Sequence, residues 1–108
     1  MGMGDPSPKE LGYYVPMPNA ERLQRWVLET ARMIVDHPDD VRVDLLGTGE
    51  RIVLRLHVHP SDVGKVIGKQ GRTSRSLRVI GGAIAMTMSE AFFTLDIEES
   101  DRIDHHRG

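Results

Sequence analysis

The stretch that decides the fold is Pro60-Ser61-Asp62-Val63-Gly64-Lys65-Val66-Ile67-Gly68-Lys69-Gln70-Gly71-Arg72-Thr73. After Ser61 and Asp62, the apolar residues at positions 63, 66 and 67 recur at helical spacing, which predicts a short helix that ends at Gly68. A longer helix is predicted to begin near Arg72. The sequence therefore places a loop with a glycine at each end, Gly68 to Gly71, between two helices.

The segments on either side of this loop predict a small α+β fold. Asn19 is a candidate N-cap for an amphipathic helix over residues 20 to 36, and alternating apolar residues predict a hairpin around Gly47-Thr48-Gly49 and a last strand near residues 93 to 97. A helical crossover should place the last strand parallel to the second, with the first antiparallel. We expect a three-stranded mixed sheet with three helices packed on one face. The predicted buried side of the long helix is Leu77, Ile80, Ala83, Ile84 and Met88.

The predicted domain covers residues 20–98, between two tails. Residues 1–19 hold four of the six prolines and show no periodic apolar pattern, with Tyr13 and Tyr14 as their only aromatic residues, and residues 99–108 are polar. A chain of 108 residues leaves little room for a deep catalytic cleft, so a binding module is expected rather than an enzyme. The chain contains no cysteine, the N-terminus does not look like a signal peptide, and no apolar run is long enough to span a bilayer, so a cytoplasmic location is expected.

Charge is unevenly distributed although the formal net charge is only −2. No acidic residue lies between Asp62 and Glu90, whereas this segment carries the cations Lys65, Lys69, Arg72, Arg75 and Arg78. The free N–H groups of the following helix, together with Lys69 and Arg72, could hold phosphate oxygens at the loop. The two glycines could equally form a tight corner between helices with solvated cations beside it, and the residues alone leave both readings open.

The run from Val63 to Thr73 resembles the signature of KH domains, and the order of elements resembles the prokaryotic type II arrangement. Together with the segment from Val35 to Val41, it is similar to the small bacterial single-KH proteins of the KhpA type, over about residues 22 to 98. The resemblance implies single-stranded RNA as partner, no cofactor, and a role as RNA chaperone or post-transcriptional regulator. The implied RNA-binding residues are Val63, Lys65, Val66, Ile67, Gly68, Lys69, Gln70, Gly71, Arg72 and Arg75.

In this reading the loop backbone and Lys69 would hold phosphates, and Val63, Val66 and Ile67 would form an apolar wall for the bases. The opposite wall is expected from the segment Met88 to Phe92 and the strand after it. This segment lacks the basic residues that family members usually carry there. Gly81-Gly82 is a second departure, because glycine disfavours a helix interior unless it permits a close contact or marks a bend.

Two further features of the sequence suggest other kinds of site. His57-Val58-His59 has the spacing of two metal ligands on one strand face, but no third ligand is apparent, so two solvent-facing histidines and no metal site are expected. Trp26 and Met33 lie beside the apolar stripe of the first helix and either widen the core or form a surface for a homodimer or for a heterodimer with a larger KH-containing RNA-binding protein. The alternative function is therefore a KH-fold interaction module with little RNA binding of its own.

Overall fold

The computed structural model describes residues 19–100, which form three α-helices and one three-stranded sheet. In chain order the elements are α1 (Asn19–Ile34), β1 (Arg42–Thr48), β2 (Arg51–Val58), α2 (Val63–Ile67), α3 (Arg72–Ser89) and β3 (Phe92–Glu99). Single 3₁₀ turns at Pro38–Asp40, Pro60–Asp62 and Lys69–Gly71 complete the described chain. The predicted order of elements is confirmed. Most of the two predicted tails, including Tyr13 and Tyr14, lies outside the described residues.

The sheet has the order β1-β2-β3, with β1 antiparallel and β3 parallel to β2. Leu54 pairs with Leu45 on one side and with Leu95 on the other, so β2 is the central strand. Between Leu45 and Gly47 the β1–β2 register shifts at a bulge. The mixed sheet predicted from the helical crossover is confirmed, and β3 forms one edge of the described sheet.

The core lies between the helices and one face of the sheet. Alternate residues of β2 supply its centre: Ile52, Leu54, Leu56 and Val58 are all buried. Leu23, Val27 and Ala31 of α1 pack into the same cluster. This regular alternation explains why the strand pattern was readable from the sequence, since successive side chains of a strand point to opposite faces.

Helix α3 buries only part of the predicted side: Leu77 is buried and Ile84 packs against the core as predicted, and Met88 is half-buried. The buried residues of α3 are Ser74, Leu77, Gly81 and Ala85, whereas Ile80 is 49% exposed and Ala83 is exposed. The reason is a close contact at Gly81, where an added Cβ would overlap the ring of Phe93 in β3. The small residues therefore face the sheet and let α3 approach it closely, whereas Val79 and Ile80 turn outward. Of the two explanations for the Gly81-Gly82 pair, the close helix contact is the one observed.

The first helix also begins differently from the prediction. Asn19 is part of α1, and its side-chain amide nitrogen donates to the Met88 carbonyl oxygen and the Ser89 Oγ, each at 2.9 Å. Through these bonds Asn19 joins the start of α1 to the end of α3. This contact fixes the two longer helices to each other at one end of the domain.

Candidate nucleic-acid interface

The glycine loop has a backbone shape that depends on Gly68. Gly68 has φ 81° and ψ 169°, a conformation open to glycine and strained for other residues. An added Cβ would overlap the Thr73 hydroxyl and lie 2.8 Å from the Thr73 backbone nitrogen. Both the dihedral angles and the close approach to Thr73 therefore require glycine at position 68.

The rest of the loop is held by its own backbone. Gln70 and Gly71 are left-handed, with φ values of 58° and 73°. The Gly68 N–H donates to the Gly64 carbonyl at 2.8 Å, and the Gly71 N–H donates to the Gly68 carbonyl at 3.0 Å. The Ser74 hydroxyl donates to the Gly71 carbonyl at 3.2 Å, but no side chain caps the N-terminus of α3. The first turn of this 18-residue helix thus faces the loop without a side-chain acceptor.

Helix α2, which leads into the loop, is anchored by a buried carboxylate. Asp62 is fully buried and accepts hydrogen bonds from the backbone N–H of Asp36 at 3.2 Å and of His37 at 3.0 Å. The His37 ring donates through Nδ1 to the same carboxylate at 3.0 Å. Burial opposes ionisation of Asp62, but these hydrogen bonds outweigh it and lower the pKa of the carboxyl. Asp62 therefore ties the turn after α1 to the start of α2.

The predicted cations fall into two groups. Lys69, Arg72 and Arg75 are exposed around the loop and the first turn of α3, and the Arg72 guanidinium donates to the Gln70 side-chain oxygen at 3.2 Å. Lys65 instead forms an ion pair with Asp36, at 3.6 Å between Nζ and Oδ2. The structure brings Lys69, Arg72 and Arg75 together with the glycine loop, whereas part of the charge of Lys65 is already balanced.

The predicted apolar wall is smaller than expected. Val66 is 0% exposed and belongs to the core, so its side chain offers no surface to a ligand, which corrects its place in the wall. Val63 is half-buried and packs against the core, and Ile67 is 38% exposed beside Gly68. The short helix turns one of its apolar residues inward, and only Ile67 and part of Val63 remain available.

The expected opposite wall also needs correction. The segment from Met88 to Phe92 begins in the last turn of α3 and continues beyond it, and an 18-residue helix is about 27 Å long. This segment is therefore at the far end of α3 from the glycine loop and cannot face it. The strand after this segment was also expected in the opposite wall, and its position fits better, because the middle of β3 approaches α3 at Leu95.

A groove runs from the glycine loop along α3. It has a volume of about 480 Å³ and is lined by Gly71, Ser74, Arg75, Arg78 and Val79. These positions lie on one helix face at intervals of three and four residues. Arg78 donates from Nε and Nη2 to the Leu95 carbonyl oxygen, at 3.2 and 2.9 Å, and so joins this face to β3. The predicted RNA-binding residues did not include Ser74, Arg78 and Val79, although their helical spacing from Gly71 is a signal that could have revealed them.

The histidines are not placed as predicted. His57 is only 7% exposed and lies 3.0 Å through Nε2 from Asp44 Oδ2, so it is not the solvent-facing residue that we expected. The hydrogen bond from Arg42 lowers the pKa of Asp44, as does the bond from His57, although burial opposes them. His59 stacks on His37 with ring centroids 3.9 Å apart. Within residues 19–100 no three His, Asp or Glu side chains cluster in a way that could hold a metal ion.

The predicted partner residues Trp26 and Met33 separate in the structure. Trp26 is half-buried and packs against the core, as a widened core stripe requires, whereas Met33 is 80% exposed. A larger apolar surface lies on α3, where a groove of about 460 Å³ is lined by Val79, Ile80, Ala83, Ile84, Thr87 and Met88. We call these six residues the α3 apolar face. It exists because the close contact at Gly81 turns the bulky side of α3 outward.

The fold and the glycine loop together define a type II KH domain: a mixed three-stranded sheet, helices on one face, and a G-x-x-G loop between the last two helices. The sequence profile described as "KhpA/KhpB, KH domain" matches residues 24–97. The chain belongs to this family, which is a KH-domain family and not a family of enzymes. Among the described residues, none of the helices is both long and apolar enough to cross a membrane.

Curated relatives share about half of their aligned residues with this chain. The RNA-binding protein KhpA of Bacillus subtilis is 50% identical over 58 residues, which cover 54% of this chain and 72% of the relative. The RNA-binding protein KhpA of Halalkalibacterium halodurans is 51% identical over 67 residues, 62% of this chain and 87% of the relative. A solved structure of an Aquifex aeolicus Era variant bound to GDP and aluminium fluoride matches with a TM-score of 0.56, at 13% identity, over 80% of this chain and 32% of that one. The last likeness concerns the fold alone.

Proposed function

We propose that this chain binds single-stranded RNA through a clamp at the loop Gly68-Lys69-Gln70-Gly71, and that it acts as an RNA chaperone or post-transcriptional regulator. The observation that carries the proposal is the position of this loop. It stands at one end of the groove along α3, with exposed Lys69, Arg72 and Arg75 around it. The relatives that are about 50% identical are named RNA-binding proteins, which supports the same function here.

In this proposal the clamp contacts each nucleotide in two ways, through its phosphate and through its base. Phosphate oxygens would take hydrogen bonds from the loop backbone and the first turn of α3, with Lys69 and Arg72 adding charge. The bases would enter the groove along α3, on the helix face from which Arg78 reaches the Leu95 carbonyl of β3, and exposed Ile67 before the loop would add an apolar contact. A KH domain holds about four nucleotides in this way. One such module should bind with modest affinity, which favours a role that uses several copies or partners.

The proposal is tested by reversing charge at the loop tip. In the double variant Lys69→Asp, Gln70→Asp, binding to a random single-stranded RNA pool should be lost, because carboxylates would repel phosphate. If three cations contact phosphates in the unaltered protein, the association constant should fall about 20-fold between 50 and 200 mM salt, from a slope of roughly −0.7 per phosphate contact. Fluorescence anisotropy at the two salt concentrations gives both results.

A matched control separates the loop from the overall charge. Arg25 and Arg22 are exposed on α1, and Arg25→Asp with Arg22→Ala changes the formal net charge by the same amount as the loop variant. This control should retain RNA binding, and circular dichroism should show both variants folded. Salt-independent binding by the unaltered protein, or equal loss in both variants, would refute the clamp.

A second candidate function is self-association through the α3 apolar face. Val79 is 65% exposed and Ile80 49% exposed, and no charged residue occurs between Arg78 and Glu90. Two copies could therefore bring this face together without opposing like charges, which favours a homodimer and supports the interaction-module alternative.

The α3 apolar face and the partner surface predicted on α1 can be compared directly. Ile80→Glu should convert a dimer to a monomer in sedimentation-velocity experiments, whereas Met33→Glu on α1 should leave the mass unchanged. A monomer for the unaltered protein, or dissociation by Met33→Glu alone, would count against the α3 apolar face.

A further inference from the structure

Arg78 has an unusual place in the groove. Its Nε and Nη2 atoms both donate to one backbone oxygen, that of Leu95, although the two residues are 17 positions apart. A guanidinium group has five N–H donors and no acceptor. Two donors point at Leu95, so three N–H groups remain, in a groove lined also by Ser74, Arg75 and Val79.

The Leu95 carbonyl belongs to β3, the edge strand of the sheet that residues 19–100 form. The Phe92 N–H donates to Glu50 and the Ser100 N–H donates to Val58, so the even-numbered residues of β3 direct their backbone groups toward β2. In an extended strand the neighbouring residues direct theirs the other way. Leu95 therefore presents its N–H and C=O to the groove side, and Arg78 spans the space between α3 and this edge.

From this arrangement we infer that Arg78 is a specificity-determining residue, which selects RNA bases that present two adjacent hydrogen-bond acceptors. Guanine offers O6 and N7, and cytosine offers N3 and O2. Adenine places a donor beside each acceptor on its Watson–Crick and Hoogsteen edges, and uracil alternates acceptor, donor, acceptor. A fixed pair of N–H donors thus matches guanine and cytosine better than adenine and uracil. The inference rests on the proposed RNA-binding function and deepens it.

The position of Arg78 favours a base over a phosphate as its ligand. It lies seven residues beyond Gly71, about 10 Å along α3, so it is well separated from the loop that would hold the phosphates. Its bonds to Leu95 also fix the guanidinium plane, and a fixed plane discriminates among base edges because it cannot turn to follow them. Arg75 lines the same groove one turn closer to the loop, where it suits the phosphate backbone.

The test uses labelled RNA pentamers of adenosine in which only the central base is changed to guanine, cytosine, uracil or 7-deazaguanine. The number of phosphates is then constant, and anisotropy titrations report the effect of the base. The unaltered protein should bind the guanine or the cytosine pentamer about tenfold more tightly than the adenine and uracil pentamers, the size of one bidentate contact. If guanine is read through O6 and N7, 7-deazaguanine should bind like adenine.

The variant Arg78→Lys keeps the charge and loses the planar fork. This variant should bind every pentamer with the affinity that the unaltered protein has for the adenine pentamer. A merely structural role of Arg78 would instead lower the affinity for every pentamer, the adenine pentamer included. Arg25→Lys, at an exposed position of α1 outside the groove, is the control and should keep the preference. Equal binding of all pentamers by the unaltered protein, or a preference retained in Arg78→Lys, overturns the inference and leaves the clamp standing. Absence of any RNA binding overturns both.

Discussion

Replacement of Asp62 by alanine tests how strongly one buried carboxylate holds the helix that precedes the glycine loop. The carboxylate is fully buried and accepts three hydrogen bonds, two from backbone N–H groups and one from the His37 ring. Hydrogen bonds to charged groups contribute about 1.5 to 3 kcal/mol each, but they share one acceptor group and the ring is half-exposed, so their contributions do not add fully. We expect Asp62→Ala to lower the free energy of unfolding by about 3 kcal/mol, which is the order of magnitude found when one partner of a buried charged pair is removed.

Asp62→Asn refines this expectation through its dependence on pH. The amide keeps one acceptor oxygen but directs its own N–H groups at one of the backbone N–H donors. We therefore expect this variant to lose about 2 kcal/mol of the free energy of unfolding at neutral pH. Because the folded protein lowers the pKa of Asp62, its stabilising effect is present above the unfolded pKa of about 3.9 and is lost as the pH falls through the lower folded value. The gap between wild type and Asp62→Asn should therefore narrow as the pH falls below about 4.

Urea unfolding followed by circular dichroism measures these differences. Asp36→Asn is the matched control, because the Asp36 carboxylate is exposed and its ion pair with Lys65 should contribute less than about 1 kcal/mol. The reasoning is refuted if Asp62→Asn is no less stable than Asp36→Asn, or if the gap stays constant down to pH 2, the acid end of the titration.

The remaining predictions concern glycines. Gly81→Ala should destabilise the fold by about 1 to 3 kcal/mol because its methyl group would overlap the Phe93 ring. Gly82→Ala, where nothing lies within 4 Å, should stabilise it by up to about 1 kcal/mol in thermal unfolding; the opposite ranking would contradict the close contact. Gly68→Ala should weaken binding of the random RNA pool, because the methyl group would displace Thr73 and open the loop; unchanged affinity in a folded variant would show that the loop shape is not needed.

Local pattern was sufficient to predict the strands and their order. The alternation from Ile52 to Val58 is regular because one face of β2 meets the core, and this information lies within a single element. The position of the glycine loop followed in the same way from the change of period after Pro60. Helical periodicity also predicted the existence of α3.

The side of α3 that packs on the sheet and the burial of His57 both depend on contacts between elements, and no local sequence pattern contains these contacts. Apolar periodicity gives weight to large residues such as Ile80, whereas the side that packs is the one where Gly81 meets Phe93. His57 is buried because Asp44 on the neighbouring strand supplies a partner for its ring. Such cross-element contacts also explain why the bond from Arg78 to Leu95 was invisible in the sequence.

The bond from Arg78 to the Leu95 carbonyl also bears on how the protein behaves in concentrated solution. An open strand edge exposes a row of unpaired backbone groups that can recruit a strand from another molecule and start aggregation. The guanidinium occupies one of these groups in the middle of β3, and acidic Asp96 and Glu98 follow it along the strand. Within the described residues, the edge of β3 that faces away from β2 therefore carries features that oppose pairing with a strand of another molecule.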